Sequence, residues 1–181
     1  MSDTVVLYKS KHGTTKQYAE WIAEDLRADI SEASSFPGGA WEKYSKVIYC
    51  GSMYANSVKG LRLLARYHSR LRGKKIIVVG CGLSYPHIVE TIQRIVNGMA
   101  KQLPKGLHAN VRLFLVRGAV CYSKLGIFEK MILKMLETTL RKRDPNTLNP
   151  EEQEMLGALG KDFSFVDRSM IQPILDYHKK L

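Results

Sequence analysis

Four apolar runs constrain this chain most: Val5-Val6-Leu7-Tyr8, Val47-Ile48-Tyr49-Cys50, Ile76-Ile77-Val78-Val79 and Leu113-Phe114-Leu115-Val116. Helix-period stretches lie between them. The run at 46–52 is apolar on both faces, as a central parallel strand is. A weaker strand with Ile30 as its main apolar residue is predicted at 28–33, and the last strand covers 111–120. Between strands one and two, Tyr18, Ala19, Ile22, Ala23 and Leu26 share one helical face. After strand three, Leu61, Leu64, Ala65, His68 and Leu71 point inward, while Lys59, Arg62, Arg66 and Arg70 form an outer basic stripe. A further helix has Pro86 just inside its start and stops at Pro104-Lys105-Gly106. The last helix spans 166–180, with Pro173 as a kink or break. Strand–helix alternation predicts an α/β fold with a doubly wound, five-stranded parallel sheet of order 2-1-3-4-5. Ligands of such sheets bind beyond the carboxyl ends of strands one and three, where the winding reverses.

The first strand runs into Lys9-Ser10-Lys11-His12-Gly13-Thr14-Thr15-Lys16, and a helix begins at once. Strand, tight loop and helix start make an anion site. The first helical amides lack internal partners, and the macrodipole adds about half a positive charge there. Ser10, Thr14 and Thr15 offer hydroxyl donors, Lys11 supplies charge, and Gly13 lets the backbone come close. The loop is neither a nucleotide-triphosphate P-loop nor a Gly-x-Gly-x-x-Gly fingerprint, and a Thr-capped polar turn is its plainer reading.

With 181 residues the chain suffices for one domain, 1–181, with a real core. Its formal charge of +11 is unevenly placed: no acid falls between Glu42 and Glu90, an interval with nine Lys and Arg residues. Such a surface suits an anionic partner or a simple solvated face. No nucleic-acid motif accompanies it, so no nucleic-acid partner is expected. Cys50, Cys81 and Cys121 are odd in number and lack metal-ligand spacing, which predicts reduced, buried thiols, no metal and a cytoplasmic setting. The start of the chain goes straight into a strand pattern, so no signal peptide is expected. No apolar run approaches the roughly 20 residues a membrane span needs.

On these residues the chain resembles the flavodoxin-like FMN proteins, and flavodoxin itself has the 2-1-3-4-5 order. Ser10-x-x-Gly13-x-Thr15 is similar to the family's phosphate loop, with His12 where another hydroxyl is usual. The resemblance places Ser10, Lys11, His12, Gly13, Thr14 and Thr15 around an FMN phosphate. It places Ser52, Met53, Tyr54, Ala55 and Asn56 in one loop over the flavin ring, and Cys81, Gly82, Leu83, Ser84 and Tyr85 in a second. Tyr54 or Tyr85 is then either a stacking partner of the ring or a rim residue.

A helical insertion at 121–165, before the last helix, narrows the resemblance. Cys121-Tyr122-Ser123-Lys124-Leu125-Gly126-Ile127-Phe128-Glu129-Lys130-Met131-Ile132-Leu133-Lys134-Met135-Leu136 is similar to the menaquinone-dependent protoporphyrinogen oxidases, as is Trp41-Glu42-x-Tyr44. The stretch 145–165 is longer and more acidic than that family leads one to expect. Read physically, the insertion holds a basic amphipathic helix, either a membrane-surface or partner-docking element or a flap packed on its own domain. Its seven bases and seven acids balance. The resemblance implies an FMN-dependent oxidoreductase passing electrons from a porphyrinogen to a quinone, cytoplasmic or peripheral on the membrane face. A non-enzymatic electron carrier and a flavin-free binding domain are the alternatives. No catalytic acid or base stands out; His12 and His87 qualify by position alone. Oligomeric state is not legible.

Overall fold

The computed structural model describes residues 2–54, 57–83 and 85–181. Strands β1 (Thr4–Lys9), β2 (Asp29–Glu32) and β3 (Lys46–Tyr54) come first, with helix α1 (Thr14–Leu26) after β1. Next come a short strand β4 (Ser57–Val58), helices α2 (Arg62–Arg66) and α3 (His68–Leu71), and strand β5 (Lys75–Gly82). Helix α4 (Val89–Ala100) leads to β6 (Val111–Arg117). The main sheet runs β2-β1-β3-β5-β6 with every pair parallel, which is the order expected from the sequence. β4 adds only an antiparallel hairpin, Met53 opposite Val58 and Tyr54 opposite Ser57.

Alternate residues of the central strands feed two cores. Val5, Leu7, Val47, Tyr49, Ile76 and Val78 pack with Trp41, Leu61, Leu64, Ile95 and Met99. Val6, Ile48, Cys50, Ile77, Val79 and Cys81 pack with Tyr18, Ala19, Ile22, Ile174 and Leu175. Covering on both faces is why these strands read as unbroken apolar runs. At the edge, β2 alternates half-buried with exposed residues, and Ile30 is exposed.

The chain divides into two compact units, Met1–Gly118 with Val166–Leu181, and Ala119–Phe165. In the first, residues 168–171 form a 3-10 turn that continues as α7 (Gln172–His178). In the second, β7 (Ala119–Val120) pairs antiparallel with β8 (Phe163–Ser164), and between them lie α5 (Ile127–Arg141) and α6 (Pro150–Ala158). α6 starts on a capping box, in which Asn149 accepts from the Glu152 amide (2.8 Å) and the Asn149 amide donates back to Glu152 (3.1 Å).

Several local expectations change. The strand expected over 111–120 stops at Arg117, and Ala119 and Val120 pair with a different strand. The helix after β3 is broken at Tyr67 (φ −103°, ψ 22°), where the ring turns onto Trp41 at 5.4 Å. The break leaves His68 exposed rather than inward. Pro86 falls in a turn ahead of α4, and Pro173 sits in the first turn of α7 rather than kinking a longer helix. Cys50 and Cys81 are buried free thiols, whereas Cys121 is only half-buried. Among the described residues no helix is long and apolar enough to cross a membrane.

Candidate functional site

The carboxyl ends of β1, β3, β5 and β6 meet at one rim of the sheet. Ser10 to Gly13 form the loop after β1, with Lys11, His12 and Gly13 exposed. Gly13 has φ +93°, a backbone that only glycine takes without strain, although a Cβ there would meet nothing within 4 Å. Conformation, not space, calls for glycine at this position. Its amide donates to Ser10 Oγ (3.1 Å), which leaves the Ser10 proton to donate elsewhere. α1 begins directly after Gly13 with no side-chain cap and no acid in its first turn, so its positive end faces solvent at the rim.

Thr15 behaves differently from its neighbours. It is 2% exposed, and its hydroxyl shares a 3.0 Å hydrogen bond with Ser52 Oγ, which donates on to the Lys9 carbonyl (3.4 Å). Thr15 and Ser52 thus tie the end of β1 to the end of β3. Burial pushes the neighbouring Cys81 thiol up to about 11 against a smaller pull from Thr15, and burial raises Cys50 further. Both cysteines are neutral thiols at physiological pH, unsuited to nucleophilic work.

Met53 and Tyr54, expected in a loop, continue β3 as strand. The reason is the hairpin with β4, which pairs Met53 with Val58 and Tyr54 with Ser57; toward β5, a Cβ on Gly80 would come 2.8 Å from Met53 Sδ, and one on Gly82 would come 2.8 Å from Met53 Cβ. Met53 lies flat along a glycine-faced stretch of β5. Lys59 Nζ stands 4.9 Å from the Tyr54 ring centroid. Tyr85 is 8% exposed, with the Arg117 guanidinium 4.5 Å from its ring centroid and His87 at 6.4 Å. Each tyrosine therefore already presents a ring face to a cation. Ala55, Asn56 and Ser84 lie outside the described residues.

Sequence reasoning missed the contribution of β6. Arg117 and Gly118 close the rim next to β5: the Gly118 amide donates to the Gly82 carbonyl (2.7 Å), and a Cβ on Gly118 would lie 3.3 Å from Cys81 Sγ. Tyr18, fully buried on α1, anchors this corner. Its hydroxyl donates to the Arg117 carbonyl (2.8 Å) and accepts from the Asp167 amide (3.1 Å). Met170 Sδ in turn accepts from the Arg117 amide at 3.3 Å. The Arg117-Gly118 pair, a cation before a chain breaker, is the signal that would have ended the strand in the right place.

The rim is thus an open doubly wound α/β sheet with a glycine loop at a helix start, the architecture of a nucleotide-type ligand site. Residues 5–147 match the family described as a flavodoxin domain, and the chain belongs to that family. No curated protein sequence matches it. Among solved structures, a flavodoxin from the domain Archaea is 18% identical over 64% of this chain and 84% of its own, with TM-score 0.41. Megasphaera elsdenii flavodoxin is 13% identical over 63% and 84%, with TM-score 0.45. The flavodoxin, WrbA-like protein of Agrobacterium tumefaciens is 18% identical over 70% and 86%, with TM-score 0.41.

Proposed function

We propose that the chain binds flavin mononucleotide at this rim and acts as an FMN-dependent oxidoreductase. One observation carries the reading: α1 opens uncapped, with no acid in its first turn, directly behind an exposed loop that ends in a positive-φ glycine. The donor set fits a phosphate. Ser10 and Thr14 would give hydroxyl hydrogens, the first amides of α1 would give N–H donors, and Lys11 would give charge. The Thr15 hydroxyl, bonded to Ser52, would hold the loop on β3 rather than touch the ligand. Ser52, Met53, Tyr54 and Cys81 to Tyr85 would border the ring, Ala55, Asn56 and Ser84 included by their place in sequence. Bound flavin supplies one- and two-electron chemistry; the protein supplies orientation and electrostatics.

The finer reading is passage of electrons from a porphyrinogen to a quinone. It rests on the resemblance of 121–136 and of Trp41-Glu42-x-Tyr44 to the protoporphyrinogen oxidases. The net charge of +11 supports it, because a porphyrinogen carries propionates. Titration of the protein with FMN, followed by flavin absorbance, is expected to saturate at one site per chain. No uptake would refute the cofactor reading. With FMN bound, protoporphyrinogen turnover with a quinone acceptor is expected, and its absence with every quinone tried would remove the substrate assignment alone.

A further inference from the structure

We infer that Arg117 and Lys59 are a pair of fixed cations that make the rim hold reduced FMN more tightly than oxidised FMN, so that the site serves as an electron acceptor. The inference rests on the cofactor reading above and gives two residues a role that reading leaves open.

The two cations are built alike. Arg117 ends β6, and Lys59 follows the β3–β4 hairpin. Both peptide groups of each are bonded. The Arg117 carbonyl accepts from Tyr18 Oη (2.8 Å), and its amide donates to Met170 Sδ (3.3 Å). The Lys59 carbonyl accepts from Tyr49 Oη (2.9 Å), and its amide donates to the Ser52 carbonyl (2.9 Å). Tyr18 and Tyr49 are fully buried, one in each of the two cores. A glycine comes next in both cases. A Cβ on Gly118 would lie 3.3 Å from Cys81 Sγ, and one on Gly60 (φ +87°) would overlap the Tyr49 hydroxyl. Each cation then rests on a tyrosine of the rim: Arg117 is 4.5 Å from the Tyr85 ring centroid, and Lys59 is 4.9 Å from that of Tyr54. Clamped backbone and ring contact place both charges before any ligand arrives.

The local charge is one-sided. The segments that reach the rim, 9–16, 51–60, 81–89 and 116–118, hold five Lys or Arg residues and no Asp or Glu. Asp167, an acid that adjoins the Tyr18 corner, turns its carboxylate to the Ser169 amide (2.8 Å). Nε and one terminal nitrogen of Arg117 are covered, so its field is weakly screened, whereas Lys59 is exposed. The oxidised isoalloxazine ring is neutral, and uptake of two electrons and one proton makes it an anion. A fixed positive charge favours that anion over the neutral ring. By linkage, tighter binding of the reduced form is a higher reduction potential.

The test compares the affinity of the full chain for oxidised FMN with that for FMN reduced by dithionite under argon, at mildly alkaline pH. A potentiometric titration of the bound flavin accompanies it. The parent is expected to bind the reduced form at least about tenfold more tightly, a rise of about 30 mV over free FMN for a two-electron couple. Arg117→Gln should lose most of that ratio at every salt concentration, while Arg117→Lys should keep it. Lys59→Gln, at an exposed position, should lose a smaller part, one that added salt also removes from the parent. The phosphate is common to both forms and cancels in the ratio, so damage to packing alone would weaken both forms together. Equal affinity of the parent for the two forms would overturn the inference. So would an unchanged ratio in Arg117→Gln and Lys59→Gln, or a ratio that falls as far in Arg117→Lys as in Arg117→Gln. In those cases the FMN site stands. No uptake of oxidised FMN would remove the cofactor reading and this inference with it.

Discussion

Gly82 and Gly80 face the same methionine, yet substitution at the two should cost different amounts. At Gly82 the added Cβ meets Met53 Cβ, which cannot move without the backbone; at Gly80 it meets Sδ, the flexible end. Gly82→Ala is expected to cost about 1–3 kcal/mol, and Gly80→Ala less. Met53→Ala should relieve the second and not the first, because alanine keeps the Cβ. Urea unfolding of Gly80→Ala and of Gly82→Ala, each in the parent and in the Met53→Ala background, checks this. Thr14 offers a cleaner probe of the proposed phosphate site. Thr14→Asp puts a carboxylate of similar size into the first turn of α1, which should stabilise the helix by about 0.3–1 kcal/mol. The same charge should weaken FMN binding by more than about tenfold. Thermal melts and FMN titration of this variant separate folding from ligand binding, which moves in the opposite direction.

Among the elements, α1 is tied to the end of β6 and to the turn ahead of α7 through a single hydroxyl, that of Tyr18. Tyr18→Phe leaves the Arg117 carbonyl and the Asp167 amide without that partner, and about 1–3 kcal/mol of stability should be lost. Amide exchange at Asp167 should rise more than at Ile48, deep in β3, which makes the effect local. Such links were not legible in the sequence. Strand order was, because burial on both faces writes a continuous apolar run and alternation with helices leaves few topologies. The loop at Ser10 to Gly13 was also legible, since glycine and hydroxyls there follow a strand and precede a helical face. Strand ends were not: Ala119-Val120 is as apolar as Leu115-Val116, and only a partner far along the chain, Phe163-Ser164, separates them. His68 was misplaced because helical spacing assumes an unbroken helix, whereas this one breaks at Tyr67, whose ring lies tilted against Trp41. Arg117 was hidden inside an apolar run, and its role depends on Tyr85, whose ring it covers.

For the molecule as a whole, acid acts through the end of the chain. His178 bonds Thr4 Oγ1 (2.9 Å), and burial, with Lys46 nearby and Asp3 opposing, holds its imidazole below the ordinary 6.5. The folded protein favours the neutral ring, so the unfolded chain takes up a proton first as pH falls. Stability from this group is full above about 6.5 and is lost as pH drops toward the lowered value. His178→Gln should flatten the slope of melting temperature against pH just below 6.5. Below about 4, loss continues as Asp3 and Asp29 protonate; hydrogen bonds from Ser45 to the first and from Lys43 to the second hold them below their ordinary range.

The β7–β8 pair carries a consequence for how such a chain can change over generations. Ala119 stands opposite Ser164 and Val120 opposite Phe163, so everything between them enters and leaves through neighbouring points. Whatever length lies beyond that doorway, the registers of the five parallel strands need not move. Residues 119–165 then behave as a graft: a variant joining Gly118 to Val166 through a short glycine turn should melt cooperatively, free of the appendage, and a sister chain with an altogether different segment there would keep the same sheet.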